Sequence, residues 1–254
     1  MLASSSSLLI RGKHRRIQAE NPLILPSKFP GPALYPAALL TLAVFVASPA
    51  HAQPMASGGG SAPSIDGSST IGNTITSTLV LTLTTSQTQD LAVLMLDLAG
   101  NAVSSVTGCD LTWTQRSVTN ASGSFTEYTA PAATVLSACS VTVTFNFATA
   151  NNGLVFALHG NGATPPSPDV NASLPSYNAT GTTTYSTTNA ADLAISYYNS
   201  GGTGTPSSAA GFTEITTAAN NANAGALALS ATQSDISVVA PDFPHFIVVD
   251  AFKD

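Results

Sequence analysis

Apolar and polar side chains alternate along much of this chain with a period of two residues. The alternation is clearest over residues 141–147 (VTVTFNF) and recurs over 79–83, 154–158 and 193–198. Successive side chains of a β-strand point to opposite faces, so this period predicts strands with one buried face.

Other segments are apolar at almost every position. Residues 90–98 (DLAVLMLDL) and 245–252 (HFIVVDAF) predict strands that are buried on both faces. Residues 226–231 are a further strand candidate. They lie in the alanine-rich stretch 218–231, where the asparagines and Gly225 oppose a helix.

Turn-forming residues cluster between these segments, including Asn151-Asn152-Gly153 between the strands predicted at 141–147 and 154–158. No capped helical period follows residue 52, and the spacing of strands and turns is typical of a sandwich. The sequence therefore predicts an all-β fold, a two-sheet antiparallel β-sandwich of jelly-roll or Ig-like type.

The first 52 residues carry the pattern of a secretory signal peptide. Five of the seven basic residues precede an apolar run at 36–47 (PAALLTLAVFVA), and the small residues of 48–52 (SPAHA) follow it. This run is shorter than the roughly 20 residues of a membrane span, which favours cleavage over retention as an anchor. The leader before the run is long, and a start codon placed too far upstream would explain its length.

The predicted domain organisation has three parts. Residues 1–52 form the signal peptide and leader. Residues 53–70 (QPMASGGGSAPSIDGSST) form a Gly/Ser/Pro-rich linker, expected to be disordered because it has little apolar surface to bury. Residues 71–254 form one β-sandwich domain.

The charge distribution restricts the partners. After residue 52 only Arg116 and Lys253 are basic, against twelve acidic residues, which gives a net charge of −10. Nucleic acid is disfavoured as a partner because binding phosphates requires clustered Lys and Arg, and anionic membranes are disfavoured for the same reason. The expected location is secreted, periplasmic or at the cell surface, with no membrane span after cleavage.

The two cysteines, Cys109 and Cys139, are predicted to form a disulfide in that oxidising compartment. Two separate buried thiols are the alternative. A zinc site with His159 and His245 is disfavoured because the usual ligand spacings are absent.

Catalytic motifs are sparse. The G-x-S-x-G elbow of serine hydrolases does not occur. A glycoside hydrolase needs two carboxyl groups about 5–10 Å apart, and Glu127 and Glu214 are the only glutamates after residue 52. They are the candidate pair, with two solvated acids as the alternative.

Seven aspartates could offer oxygen ligands to a structural calcium ion in the loops. Asp97, Asp110 and Asp192 are the named candidates for a metal site, although no D-x-D-x-D-G loop is present. Asp90 and Asp192 each precede an apolar strand, where a carboxylate can instead accept hydrogen bonds from free backbone N–H groups. No other cofactor is expected.

Carbohydrate binding uses aromatic platforms, and the candidate rings are Trp113, Tyr185, Tyr197 and Tyr198. Trp113 adjoins the Cys109 segment and is also a core candidate. Tyr197 and Tyr198 are adjacent, so one is expected in the core and the other at the surface.

Several short phrases occur in an order similar to that of an uncharacterised family of secreted and phage-associated β-sandwich proteins. They are DLAVL at 90–94, LTW at 111–113, Tyr128 with Ala130, CSVTVTF at 139–145, DLAI at 192–195, GFT at 211–213 and VDAFK at 249–253. The resemblance covers about residues 75–254 and implies a jelly-roll or concanavalin-like sandwich. It implies no activity and no catalytic residue. The cysteines and the low charge depart from the family pattern.

These observations favour an exported, non-enzymatic β-sandwich protein for surface display, adhesion or glycan binding, with a glycan or another cell-surface ligand as its partner. One alternative is a secreted glycoside hydrolase that uses a carboxylate pair. The other is a structural envelope or virion component that binds copies of itself.

Overall fold

The computed structural model describes residues 60–119, 125–200, 207–218, 222–241 and 244–254. The predicted leader, residues 1–52, lies outside these ranges. Within them every helix or strand assigned is a β-strand, and all strand pairs are antiparallel, which confirms the all-β prediction. In the same ranges no helix has the length and apolar character that crossing a membrane requires.

The described residues form fourteen strands in three sheets. The strands are β1 (Ser64–Leu83), β2 (Asp90–Asp97), β3 (Val103–Gly108), β4 (Thr114–Thr119), β5 (Phe125–Ala132), β6 (Cys139–His159), β7 (Ser167–Pro168), β8 (Ser176–Asn178), β9 (Thr182–Tyr185), β10 (Leu193–Ser200), β11 (Thr213–Ala218), β12 (Ala222–Ala228), β13 (Ile236–Val239) and β14 (Pro244–Lys253).

The first sheet has the strand order β1-β6-β2-β5-β4, and β3 also pairs with β6. The second sheet has the strand order β11-β12-β10-β14-β7, and β8 also pairs with β14. Strands β13 and β9 form a separate two-stranded ribbon.

A central core lies between the first and second sheets. Alternate residues of β2, β5 and β6 pack against alternate residues of β10, β12 and β14. The rings of Phe125 and Phe246 approach Tyr197 with centroids 6.0 Å apart in each case, a distance typical of favourable aromatic pairs. Two facing sheets around a shared apolar layer are consistent with a β-sandwich.

A second core lies on the other face of the first sheet. β1 and β6 form one long ladder with a register shift between Thr76 and Thr78. Leucines from the end of β1 and valines from the start of β6 pack onto Ala92, Leu94 and Val155. β2 is therefore buried along its whole length, as its apolar sequence predicts.

The turn predicted at residues 151–153 is wrong, because β6 continues through it. The side-chain NH2 group of Asn151 donates to the carbonyl oxygens of Thr76 (3.2 Å) and Thr149 (3.0 Å), which satisfies its donors inside the strand ladder. A Cβ at Gly153 would lie 2.5 Å from Leu79 Cδ2, so glycine permits the close packing of the second core here.

A third core covers the other face of the second sheet. The β9–β13 ribbon and residues 207–212 bury Tyr185, Tyr198, Ile247 and Val249. Tyr197 is buried in the central core on the opposite face. The expectation that Tyr197 or Tyr198 would be exposed is wrong, because this sheet is covered on both sides.

The first strand begins at Ser64, inside the segment predicted as a linker. Ser64 to Ile71 pair with His159 to Gly153 of β6. A strand ladder uses backbone N–H and C=O groups, so the polar composition of this segment did not prevent pairing. A Cβ at Gly67 would clash with the carbonyl oxygen of Thr84, which explains a glycine in this strand.

The predicted disulfide is confirmed. Cys109 and Cys139 are bonded across a sequence separation of 30 residues and join the end of β3 to the start of β6. Cys109 and Asp110 adopt positive φ angles of 61° and 55°, which form the tight turn at this junction.

We expect loss of this disulfide to lower the free energy of unfolding by about 3–4 kcal/mol, because the bond closes a loop of roughly 30 residues in the unfolded chain. Urea unfolding of the oxidised protein and of the Cys109→Ala/Cys139→Ala variant measures the difference. Reductant should destabilise only the parent protein. Equal midpoints for the two proteins would contradict the expectation.

Candidate functional site

The two glutamates proposed as a catalytic pair are far apart. Glu127 on β5 is fully buried and faces the second sheet, whereas Glu214 lies exposed on β11. Glu127 adjoins Asp250 of β14, which is three strands from β11 and hence about 14 Å away along the sheet. The geometry therefore does not form the carboxylate pair that a glycoside hydrolase requires.

The candidate aromatic platform is not exposed either. Tyr185, Tyr197 and Tyr198 are buried, with about 1% or less of each residue accessible. Trp113 is half-buried against the second core, and its Nε1 donates to the carbonyl oxygen of Gly108 at 3.4 Å. Covering the second sheet on both faces removed the three tyrosine rings from the surface.

The candidate calcium ligands do not converge. Asp97 is buried and accepts hydrogen bonds from the side-chain amides of Asn152 (2.9 Å) and Asn199. Asp110 is exposed in the turn after β3, and Asp192 is fully buried before β10. Across the described ranges, no group of three or more His, Cys, Asp or Glu side chains is placed to hold a metal ion. Asp242 lies outside those ranges.

A buried ion pair joins the two main sheets at their edge. Arg116 of β4 donates from Nε and Nη2 to the two carboxylate oxygens of Asp250 on β14, at 2.6 and 2.8 Å. Its Nη2 also donates to the carbonyl oxygen of Asp169 at 3.2 Å. Burial lowers the pKa of Arg116, but the bonds and charge of Asp250 outweigh this effect and raise it. The guanidinium therefore keeps its charge.

Glu127 is the third member of this cluster. Its Oε1 lies 3.7 Å from Arg116 Nε, and no donor among the described residues reaches either carboxyl oxygen. Burial and the neighbouring Asp250 charge raise the pKa of Glu127 well above its ordinary value, although Arg116 opposes them. Burial and the neighbouring carboxyl group of Asp250 therefore favour the protonated form of Glu127.

A second carboxyl pair lies close to the first. Asp169 accepts bonds from the backbone N–H groups of Asn171 (2.7 Å) and Thr188 (2.6 Å) and from the Thr188 hydroxyl. Asp192 lies beside Asp169, and the backbone N–H of Asn189 and the charge of Lys253 oppose the rise of its pKa only weakly. Burial, followed by Asp169, raises the pKa of Asp192 to about 8. Burial raises the pKa of Asp169, but the hydrogen bonds that its carboxylate accepts outweigh burial and hold this pKa well below its ordinary range. The pair therefore shares one proton.

A third cluster combines two carboxyl groups with a histidine. Asp90 at the start of β2 lies opposite His159 at the end of β6, with Oδ1 and Nδ1 2.9 Å apart. Burial raises the pKa of Asp90 to about 6 against the bond from His159, and the nearby Asp66 charge adds to the rise. Asp66 accepts N–H bonds from Ser86 (2.7 Å) and Gln87 (2.8 Å).

Burial raises the pKa of Asp66, but the hydrogen bonds from Ser86 and Gln87 outweigh burial and lower this pKa. The His159 side chain is 31% exposed, so this cluster is the one of the three that opens to solvent through a titratable side chain. It can store and release a proton near pH 6.

Sequence reasoning found none of these carboxyl clusters. The available signal was an acidic residue at an inward position of an apolar strand, as with Asp250 in HFIVVDAF. Its partners come from other strands up to 134 residues away, as in the bond between Arg116 and Asp250, so no local pattern identifies them.

An open cavity of about 470 Å³ lies where the loops after β6 and before β10 meet the end of β14. The Asp254 carboxylate at its edge accepts backbone N–H bonds from Asn161 (2.8 Å) and Gly162 (3.2 Å). Small and polar residues line it, among them Ser61, Thr164, Asn189, Ala190, Lys253 and Asp254.

We expect the protein to be most stable at mildly acidic pH. In the folded protein the pKa of Asp90 is about 6 and that of Asp192 is about 8. In the unfolded chain both side chains lose their protons near pH 4. Their contribution is complete below about pH 4 and is lost as the pH rises through these values. Asp66 and Asp169 have lowered pKa values, so their contribution is lost as the pH falls below about 4.

Between pH 5 and 8 the free energy of unfolding should therefore fall by about 1 kcal/mol per pH unit, measured by urea titration. Asp192→Asn mimics the protonated acid and should flatten the slope above pH 6. A stability that rises from pH 5 to 8 would contradict the assignment of the shared protons.

Replacement of Arg116 by Met should destabilise the fold by about 3–5 kcal/mol, because it leaves the Asp250 carboxylate buried without a countercharge. Adding Asp250→Asn removes that charge and should restore part of the loss. Thermal and urea unfolding of the single and double variants at pH 5 measure both effects. A change below about 0.5 kcal/mol for Arg116→Met would show that the ion pair does not hold the sheets together.

Comparison with protein-family models, curated proteins and solved structures finds no match to this chain. The function is therefore inferred from the residues and geometry described above.

Proposed function

We propose that this chain is an exported, non-catalytic β-sandwich protein that binds neutral glycan outside the cell, in acidic surroundings. The leader pattern before residue 52 and the disulfide between Cys109 and Cys139 support export. The sandwich is of the jelly-roll type that the order of short sequence phrases implies. The mature protein begins after the signal peptide.

The single observation that carries the acidic setting is the set of buried carboxyl pairs inside the fold. Glu127, Asp90 and Asp192 each lie beside a second carboxyl group, and burial raises the pKa of each. Such pairs stabilise a folded chain when protons are abundant and destabilise it when they are scarce. An acidic medium therefore matches this interior.

The exposed surface supports a neutral partner. The outward positions of β1, β3 and the first half of β6 are mostly hydroxyl-bearing, including Thr78, Thr82, Ser105, Thr107 and Ser140. These strands are hydrogen-bonded neighbours, so the hydroxyls form rows on one uncharged face. Hydroxyls donate and accept hydrogen bonds, as sugar hydroxyls do, and this face offers no countercharge for an ionic ligand.

One observation favours a second candidate, a glycoside hydrolase that acts through Asp66 and Asp90. These carboxyl groups adjoin, burial raises the pKa of Asp90 to about 6, and His159 opens the cluster to solvent. Glycoside hydrolysis also uses one protonated and one ionised carboxyl group, but it needs them about 5–10 Å apart, whereas Asp66 and Asp90 share a hydrogen bond. The complete burial of Asp90 favours the non-catalytic function.

Pull-down of purified residues 53–254 with insoluble neutral polysaccharides at pH 4.5 tests this function. The panel is cellulose, chitin, β-1,3-glucan and starch, and we expect the protein to be retained on at least one without releasing soluble sugar. Soluble sugar released by the parent protein and abolished by Asp90→Asn would establish the hydrolase instead. Absence of retention on all four polymers would overturn glycan binding.

A further inference from the structure

The open cavity beside β14 has a chemical character distinct from that of the buried carboxyl clusters. It is lined by side chains that both donate and accept hydrogen bonds, and its walls also contain glycine and alanine. Its volume of about 470 Å³ falls within the range of about 300–1,000 Å³ typical of small-molecule sites. The volume is therefore suited to one or two sugar rings.

The Asp254 carboxylate is held in place by the loop that follows β6. Two consecutive backbone N–H groups, of Asn161 and Gly162, donate to its two oxygens. A Cβ at Gly160 would clash with Asp254 Oδ1, so only glycine at this position permits the arrangement. The carboxylate is thus positioned before any ligand arrives, which lowers the entropic cost of binding.

The remaining groups complete a set suited to a neutral polyol. Lys253 provides an ammonium donor, Asn189 a planar amide, and Ser61 and Thr164 hydroxyls. The side-chain charges of Lys253 and Asp254 have opposite sign and offset each other. Ala190 supplies an apolar contact for the C–H face of a sugar ring.

We propose that this cavity is a saccharide-binding site that takes one end of a neutral glycan chain, with Asp254 and Asn189 as its main hydrogen-bonding groups. The proposal rests on the proposed glycan-binding function and assigns it to one place in the fold.

Isothermal titration calorimetry at pH 4.5 with cellobiose, chitobiose, laminaribiose and maltose tests the site in residues 53–254. We expect at least one disaccharide to bind, and Asn189→Ala and Asp254→Asn each to weaken it at least tenfold. Thr164→Trp adds a bulky side chain at an exposed position of the cavity wall and should abolish binding. Thr134→Val, in a separate cavity beside the disulfide, is the matched control and should bind like the parent protein.

Unfolding midpoints of the variants, measured in parallel, ensure that only folded proteins are compared. Disaccharide binding that is unchanged in Asn189→Ala and Thr164→Trp would overturn the site. If these variants are still retained on polysaccharide, the protein binds glycan at another place, and only the location of the site is rejected. Binding of L-alanine in place of all four sugars would also overturn the proposal, because it would identify a zwitterion site.

Discussion

The bidentate bond between Arg116 and Asp250 is the polar contact that links the two main sheets beside their shared apolar core. Arg116 is the only arginine after residue 52, and it lies almost entirely inside the protein. It links β4 of the first sheet to β14 of the second and also binds the backbone of Asp169. One guanidinium thus satisfies three acceptor atoms from two segments, and no other side chain has enough fixed donors to do so.

The shortage of cations explains the other carboxyl clusters. Glu127, Asp192 and Asp90 are buried in a chain with two basic residues in its folded part, so counterions cannot neutralise them all. A shared proton replaces the missing cation at Asp90 and Asp192, where a raised pKa lies beside the lowered pKa of Asp66 or Asp169. The interior is therefore polar at these points. This arrangement connects the acidic composition to the proposed acidic setting.

Layering determines which residues remain available for binding. The central core separates the two main sheets, and each sheet is also covered on its other face by the bent β1–β6 ladder or by the β9–β13 ribbon. Strands β2, β10 and β14 are therefore buried on both sides, and the two tyrosines of β10 contribute to packing. The groups that remain exposed for binding are hydroxyls, amides and loop carboxylates. The proposed saccharide site therefore lies at the strand ends, where the loops meet.

The sequence by itself determined the all-β class, the strands at 79–83, 90–98, 141–147, 154–158 and 193–198, and the disulfide, because period-two patterning and paired cysteines are local signals. Tertiary structure alone decided that β6 continues through Asn151 and Asn152 and that β1 starts at Ser64. It also decided that Tyr197 and Tyr198 are both buried and that Glu127 meets Arg116 rather than Glu214. Those outcomes depend on backbone pairing and on contacts between strands that are distant in sequence. The residues next to a position in the chain do not indicate which distant residue it will contact.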